Sequence, residues 1–331
     1  MRKRTLVVTL SLLALPLTFA ACGSSGSAKH LTLVAYSTPQ SAFVSLIPAF
    51  EATSEGKGFG FSQSYGPSGD QSRAVAAGLR ADVVNFSLEP DVTRLVKAGL
   101  VSASWNKNAT HGFVTDSVAV IIVRKGNPKH ITGWDDLVKP GVQVLTPNPF
   151  TSGSARWNVM AAYGAELKEG KSPTQAQEYL KRLFHNVVSQ DSSARNALQT
   201  FLAGRGDALI DYENEAISDQ KKGSPIEYVV PNDTILIQNP IAVVSKGGSD
   251  TANAQKFVDF LLSPAGQKLW AEQGYRPVVP ALVDPKKFPT PTGLFTIDSL
   301  GGWKTVTKQF FETESGIVTK IEQGLGVSTA K

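Results

Sequence analysis

Short apolar runs alternate with amphipathic stripes along most of the chain. Residues 31–36 (LTLVAY) read as a strand ended by Ser37-Thr38-Pro39-Gln40, after which Phe43, Leu46, Ile47 and Phe50 share one helical face. Residues 60–65 read as a second strand that runs into Gly66-Pro67-Ser68-Gly69, with helix formers over 71–80. Residues 81–86 (ADVVNF) read as a buried strand before a helix carrying Val92, Leu95 and Val96. Residues 117–123 (SVAVIIV) are almost continuously apolar, the pattern of a strand covered on both faces.

The scheme then repeats. Strands are expected at 142–145, 187–189, 208–212 and 241–245. Helices are expected at 156–167, at 174–184 with Ala176, Tyr179, Leu180 and Leu183 inward, and around Leu198, Phe201 and Leu202. Further helices are expected at 215–221, 253–262, 264–273 and near 306–312. Strands alternating with helices predict a parallel-rich α/β architecture, in which ligands sit where strand ends meet helix starts. Small-residue turns fall at such places four times: Ser37, Ser68-Gly69, Ser152-Gly153-Ser154 and Ser192-Ser193-Ala194. A helix start exposes unpaired N–H groups at the positive end of its dipole and suits an anion. Any one of these turns is explained equally well as an ordinary Ser cap. Their recurrence is the signal, and a cleft between two lobes would bring them together.

The amino terminus changes the picture of location. Arg2, Lys3 and Arg4 precede an apolar run from Leu6 to Ala21, broken by Pro16, so residues 1–21 read as a secretory signal peptide. Phe19-Ala20-Ala21-Cys22 resembles a bacterial lipobox, with Phe where Leu is usual. That resemblance implies cleavage before Cys22, the sole cysteine, a lipid on its sulfur and a tether over 22–30. Removing the leader takes three of 33 Lys and Arg, leaving 30 against 28 Asp and Glu, or about +2. That balance argues against a nucleic-acid binder, which needs a concentrated basic face. The 331 residues suit two domains or one large α/β domain.

Several segments then become familiar: GPSGDQ at 66–71, VRKGNPKHITGWDDLVKPGVQVLTPNP at 123–149, SGSARWN at 152–158, DSSAR at 191–195, GDALIDYENEA at 206–216 and FTIDSLGGW at 295–303. With them the chain resembles the sulfate-binding proteins of bacterial ABC importers, a branch of the two-lobed type II periplasmic binding proteins. The resemblance implies an α/β fold with a mixed sheet in each lobe and the ligand in the cleft between them. It implies a discontinuous first lobe (31–117 and 243–331), a second lobe (118–242) and a hinge of two strands near Ser117 and Ile241. It implies sulfate contacts from the amide of Ser37, the amide and hydroxyl of Ser68, the hydroxyl of Ser152, the amides of Gly153, Ser154 and Ala194, and the side chain of Tyr212. It also implies an ABC permease with its cytoplasmic ATPase as partner, a monomer on the outer side of the membrane, and neither cofactor nor metal.

Three of these positions depart from the family pattern. Ser37 stands where Asp is usual, Ser154 where a second Gly is usual, and Tyr212 where a Trp indole is usual. A phenol can accept as well as donate, which bears on the rejection of protonated oxyanions. Sulfate carries no proton at neutral pH, so its ideal site holds donors only, and Asp70, Asp191 and Asp211 are expected to face away, pairing with Arg73, Arg156 or Arg195. Thiosulfate, molybdate or phosphate are the alternative ligands. A secreted enzyme has thinner support: there is no G-x-S-x-G, the four His lack metal-type spacing, and Ser54–Lys57 matches S-x-x-K without its companion motifs. Glu213 and Glu215 are expected in a solvated loop. An adhesin or scaffold with a degenerate site is the remaining alternative.

Overall fold

The computed structural model describes residues 29–246 and 250–329, so the signal peptide and Cys22 lie outside the described residues. In chain order the strands are β1 (Lys29–Tyr36), β2 (Phe59–Gly66), β3 (Val83–Asn85), β4 (Phe113–Arg124), β5 (Val144–Leu145), β6 (Val187–Ser189), β7 (Ala208–Tyr212), β8 (Ile226–Val229) and β9 (Leu236–Val243). The helices are α1 (Gln40–Glu51), α2 (Ser68–Ala76), α3 (Glu89–Lys97), α4 (Gly153–Lys168), α5 (Pro173–His185), α6 (Ala194–Leu202), α7 (Glu213–Lys221), α8 (Thr251–Leu262), α9 (Pro264–Glu272), α10 (Gly302–Phe311) and α11 (Ile317–Gly324).

The strands run in the order β2-β1-β3-β9-β4-β7-β5-β6, with β8 on β4. β1 is parallel to β2 and β3, and β5 is parallel to β6 and β7. Between these two parallel groups lie β4 and β9, antiparallel to each other. β9 continues onto β3 and β4 continues onto β7, so the pair ties the two groups together.

Alternation along each strand sorts its side chains into separate cores. Leu33 and Ala35 pack with α1, α8 and α9, while Val34 between them packs with α2 and α3. On β4, Ala119, Ile121 and Val123 face α4 and α5, and Val118, Val120 and Ile122 face α6 and α7. The apolar run at 117–123 is therefore covered on both faces, as its pattern predicts. Each group of strands thus has helices on two sides, the layered arrangement of α/β folds.

The structure alters several expected boundaries. α2 starts at Ser68 and ends at Ala76, because Gly78 adopts a left-handed φ of 110° and Leu79 N–H turns back to Ala74 O at 2.9 Å. β9 begins at Leu236, five residues before the expected start, since Gln238, Asn239 and Pro240 interrupt its apolar pattern. β8, α11 and a 3-10 turn at Trp134–Val138 are additions to the sequence-based outline. α10 and α11 lie in the stretch expected to complete the first lobe. Trp303 packs edge-on against Trp157 at 4.6 Å and Phe310 against Tyr163 at 4.7 Å, so both helices share the core of α4 and α5.

Where β4 leaves the first group, Asp116 exchanges two backbone hydrogen bonds of 2.9 Å with Arg276. Its Oδ1 is buried without a hydrogen-bond partner. Burial pushes the Asp116 carboxyl up to about 7 against the opposing pull of Arg276, which itself forks onto Glu213 at 2.7 and 2.9 Å. Between the ordinary carboxylate range and pH 7 the folded chain holds a proton that the unfolded chain has released. Stability is therefore lost as pH rises through that window. Thermal melts from pH 5 to 8 are expected to fall for the wild-type chain and to flatten in Asp116→Asn, the difference being on the order of 1–2 kcal/mol. Parallel curves would show that Asp116 ionises normally.

Candidate anion-binding site

Six strand-to-helix turns are joined by hydrogen bonds between segments distant in sequence, five of them in a ring that the Arg195–Glu215 pair closes between α6 and α7. Arg195 Nη2, at the start of α6, donates to Thr38 O beside Ser37 at 2.9 Å. Thr151 Oγ1, before α4, donates to Ser192 O at 2.8 Å. Gly69 N–H, in the first turn of α2, donates to Thr151 O at 3.2 Å. Ser87 N–H, before α3, donates to Ser68 Oγ at 3.0 Å. Ser87 Oγ in turn shares a 2.7 Å hydrogen bond with the Tyr212 hydroxyl, at the start of α7. Ser37, Ser68, Ser152, Gly153, Ser154, Ala194 and Tyr212 are all buried within this arrangement.

Outside this arrangement the helix starts are mixed. α5, α8 and α9 begin with Ser172, Asp250 and Ser263 accepting first-turn N–H groups, whereas α10 and α11 begin at Gly301 and Gly316 without a side-chain cap. α1, α2, α3, α4 and α7 begin at the joined turns with no side-chain cap, and only α6 is capped, by Ser193. Ser152 is the N-cap residue of α4, yet its hydroxyl does not cap, which leaves it available to a ligand. First-turn amides have no acceptor within their own helix, so buried ends of this kind call for one from outside. Ser154 is not among the positive-φ residues, and a side chain is accommodated there without strain. Gly153 is different: a Cβ would stand 2.8 Å from the Ser87 side chain and 2.9 Å from Leu88, so its glycine permits the close approach of α4 to the β3–α3 turn.

One implied contact is changed by the structure. The Ser68 hydroxyl donates to Asp91 Oδ2 at 2.7 Å and accepts from Ser87 N–H, so its proton is committed within the protein. The Ser68 amide, first in α2, carries the helix-end role alone.

Asp70, Asp191 and Asp211 each have a partner, although Asp211 Oδ2 is buried without one. Asp70 pairs with Arg73 on a partly exposed flank. Asp191 accepts from Thr200 Oγ1 at 2.9 Å and Ser189 Oγ at 3.3 Å. Asp211 Oδ1 accepts from Tyr212 N–H at 2.8 Å, and burial, followed by the nearby Glu215, holds its carboxyl well above the usual range. Arg195 pairs with Glu215 at 2.9 Å rather than with an Asp. Arg156 donates from Nε to Pro149 O at 2.8 Å and lies over the Phe311 ring, and burial pushes it down to about 10. Glu213 and Glu215 are buried at the first turn of α7 instead of in a solvated loop, each held by an arginine. Elsewhere Asp135, Glu166 and Glu169 close around the Lys171 ammonium, at 3.7, 2.9 and 2.9 Å.

Ser87 and Asn239 are the residues the sequence reading did not single out. Ser87 occupies a fifth strand-to-helix turn, Ser87-Leu88-Glu89-Pro90, which lacks the Ser/Gly spelling of the others. The Pro in the first turn of α3 was the available cue. Trp157 Nε1 and Asn239 Nδ2 both donate to Ser87 O, at 2.8 and 3.2 Å.

Two parallel groups of strands joined by an antiparallel pair define the fold of a two-lobed periplasmic binding protein. The chain belongs to the bacterial extracellular solute-binding proteins, whose family model matches residues 31–276. It is 39% identical to the sulfate-binding protein of Synechococcus elongatus, with 93% of each chain covered. It is 33% identical to a thiosulfate-binding protein of Pseudomonas aeruginosa, over 90% of this chain and 94% of that one. Among solved structures, the sulfate-binding protein SubI from Mycobacterium tuberculosis H37Rv superposes with a TM-score of 0.83 at 44% identity, covering 86% of this chain and all of that one. Among the described residues no helix is long and apolar enough to cross a membrane.

The packing at Gly153 generates a direct test. Gly153→Ala is expected to keep α4 from reaching the Ser87 turn and to weaken anion binding by about 1–3 kcal/mol, the usual cost of overpacking. Calorimetric titration of both proteins measures it, and unchanged affinity would show that this approach does not matter for binding.

Proposed function

We propose that this protein captures sulfate outside the cytoplasm and delivers it to an ABC permease driven by a cytoplasmic ATPase. The observation that carries the reading is the set of uncapped, buried helix starts, with the neighbouring carboxylates engaged by other partners. The names of the relatives support sulfate as the ligand. In this reading Ser37, Ser68, Gly153, Ser154 and Ala194 offer backbone amides, and Ser152 and Tyr212 offer hydroxyls.

Each helix end supplies about half a positive charge, so three or four approach the charge of a dianion without a counter-ion. A hydrogen bond to a charged group contributes about 1.5–3 kcal/mol net. Seven contacts of this kind offset desolvation and reach about −8 kcal/mol, or micromolar affinity. Because donors come from both sides of the cleft, closure is stabilised by the ligand itself. We place the hinge in β4 and β9, with 118–242 plus α10 and α11 as the second lobe and the remainder as the first. The protein acts by binding and not by catalysis, as a monomer held at the membrane by a lipid on Cys22.

Thiosulfate is the second reading, favoured by the relative that bears its name. Titration with sulfate, thiosulfate, molybdate and phosphate separates these ligands. Ser152→Ala and Tyr212→Phe are each expected to weaken sulfate binding by about 1–3 kcal/mol. Full affinity in both variants would mean that the site has been misassigned, and phosphate binding as tight as sulfate at pH 7 would defeat the donor-only argument.

A further inference from the structure

Tyr212, like Ser152, is a proposed contact whose hydroxyl can both donate and accept. Its surroundings remove the ambivalence. Ser87 is fastened at both backbone ends: its N–H lies on Ser68 Oγ, and its carbonyl receives Trp157 Nε1 and Asn239 Nδ2. Its Oγ, 2.7 Å from the phenol oxygen, is therefore fixed in place. Asn239 is oriented by Thr115, whose hydroxyl donates to Asn239 Oδ1 at 3.3 Å, so the donor-only Nδ2 is the end turned towards Ser87. Burial pushes the Tyr212 phenol above its ordinary range, with Ser87, Ser154 and Asn239 pulling the other way.

Resting on the sulfate reading above, we propose that Ser87 and Asn239 are positioning residues that hold the Tyr212 phenol as a donor toward the anion and so make it a contact that rejects protonated oxyanions. A dianion draws the phenol proton towards itself. Ser87 Oγ–H then donates to the phenol oxygen, and Asn239 holds the Ser87 backbone in place for it. At this contact the O–H of a hydrogenphosphate meets a donor instead of an acceptor, and its hydrogen bond there is left unmade. Tyr212 in this setting behaves as the indole N–H that is usual at its position in the resembling family, although a free phenol would not.

The test is the ratio of sulfate to inorganic phosphate affinity, measured by calorimetry at pH 7 on the full chain. Ser87→Ala frees a lone pair on the phenol, and the ratio is expected to narrow about tenfold or more. Ser87→Thr keeps the hydroxyl and is expected to retain the wild-type ratio. The double variant Ser87→Ala/Tyr212→Phe has no phenol oxygen to accept, so discrimination is expected to return although sulfate itself binds more weakly. A merely structural role for Ser87 would weaken both anions alike and would not be reversed by the second substitution. Should Ser87→Ala not fold, Ser87→Cys keeps the volume with a weaker donor and is expected to narrow the ratio by a smaller factor. An unchanged ratio in the folded Ser87 variant, or equal narrowing in Tyr212→Phe alone, overturns the inference. A wild-type protein that shows no sulfate binding overturns instead the functional reading on which it rests.

Discussion

A buried helix start is an unpaid electrostatic debt, and this molecule gathers several of them at one point. Five of the six helices that begin at the joined turns lack a side-chain cap, as do α10 and α11 outside them, whereas α5, α8 and α9 provide their own. Amides sequestered without acceptors are costly. The arrangement persists because hydrogen bonds between distant segments, from Arg195 to Thr38 and from Ser87 to Tyr212, hold the turns in register. On the proposed reading a proton-free anion is the complement of those ends, which ties affinity and closure to the same set of groups.

The rest of the fold serves that convergence. β4 and β9 run through both parallel groups, so the ring sits beside the strands that join them. The alternating faces of β1 and β4 feed distinct cores. The first turn of α7 is fastened in two directions. Glu213 reaches Arg276 beyond α9, and Glu215 reaches Arg195 at the start of α6. Neither glutamate is free to enter the anion site.

Much of this was legible in the chain. The strand at Ala208–Tyr212 and the short Val187–Ser189 follow the apolar pattern to the residue. All four Ser/Gly turns noted in the sequence are among the joined turns, because small residues mark strand-to-helix junctions wherever the backbone must approach closely. What stayed hidden depended on pairing at a distance. Glu213 and Glu215 read as solvated because their arginine partners lie 63 and 20 residues away. β9 was concealed by Gln238, Asn239 and Pro240, polar or non-donating residues inside a buried strand. Ser87 escaped because Leu88, Glu89 and Pro90 follow it in place of glycine. The final helices carry an amphipathic pattern, but periodicity does not say which core a helix joins.

One indole ties these observations to light. Trp157 lies in α4, hydrogen-bonds to the Ser87 carbonyl at the end of the β3 turn, and stacks edge-on with Trp303. Separating α4 from that turn would exchange the carbonyl for water and re-expose a chromophore that is now dark to solvent. On the proposed reading, opening of the cleft would then shift Trp157 emission to the red, an intrinsic optical gauge of closure.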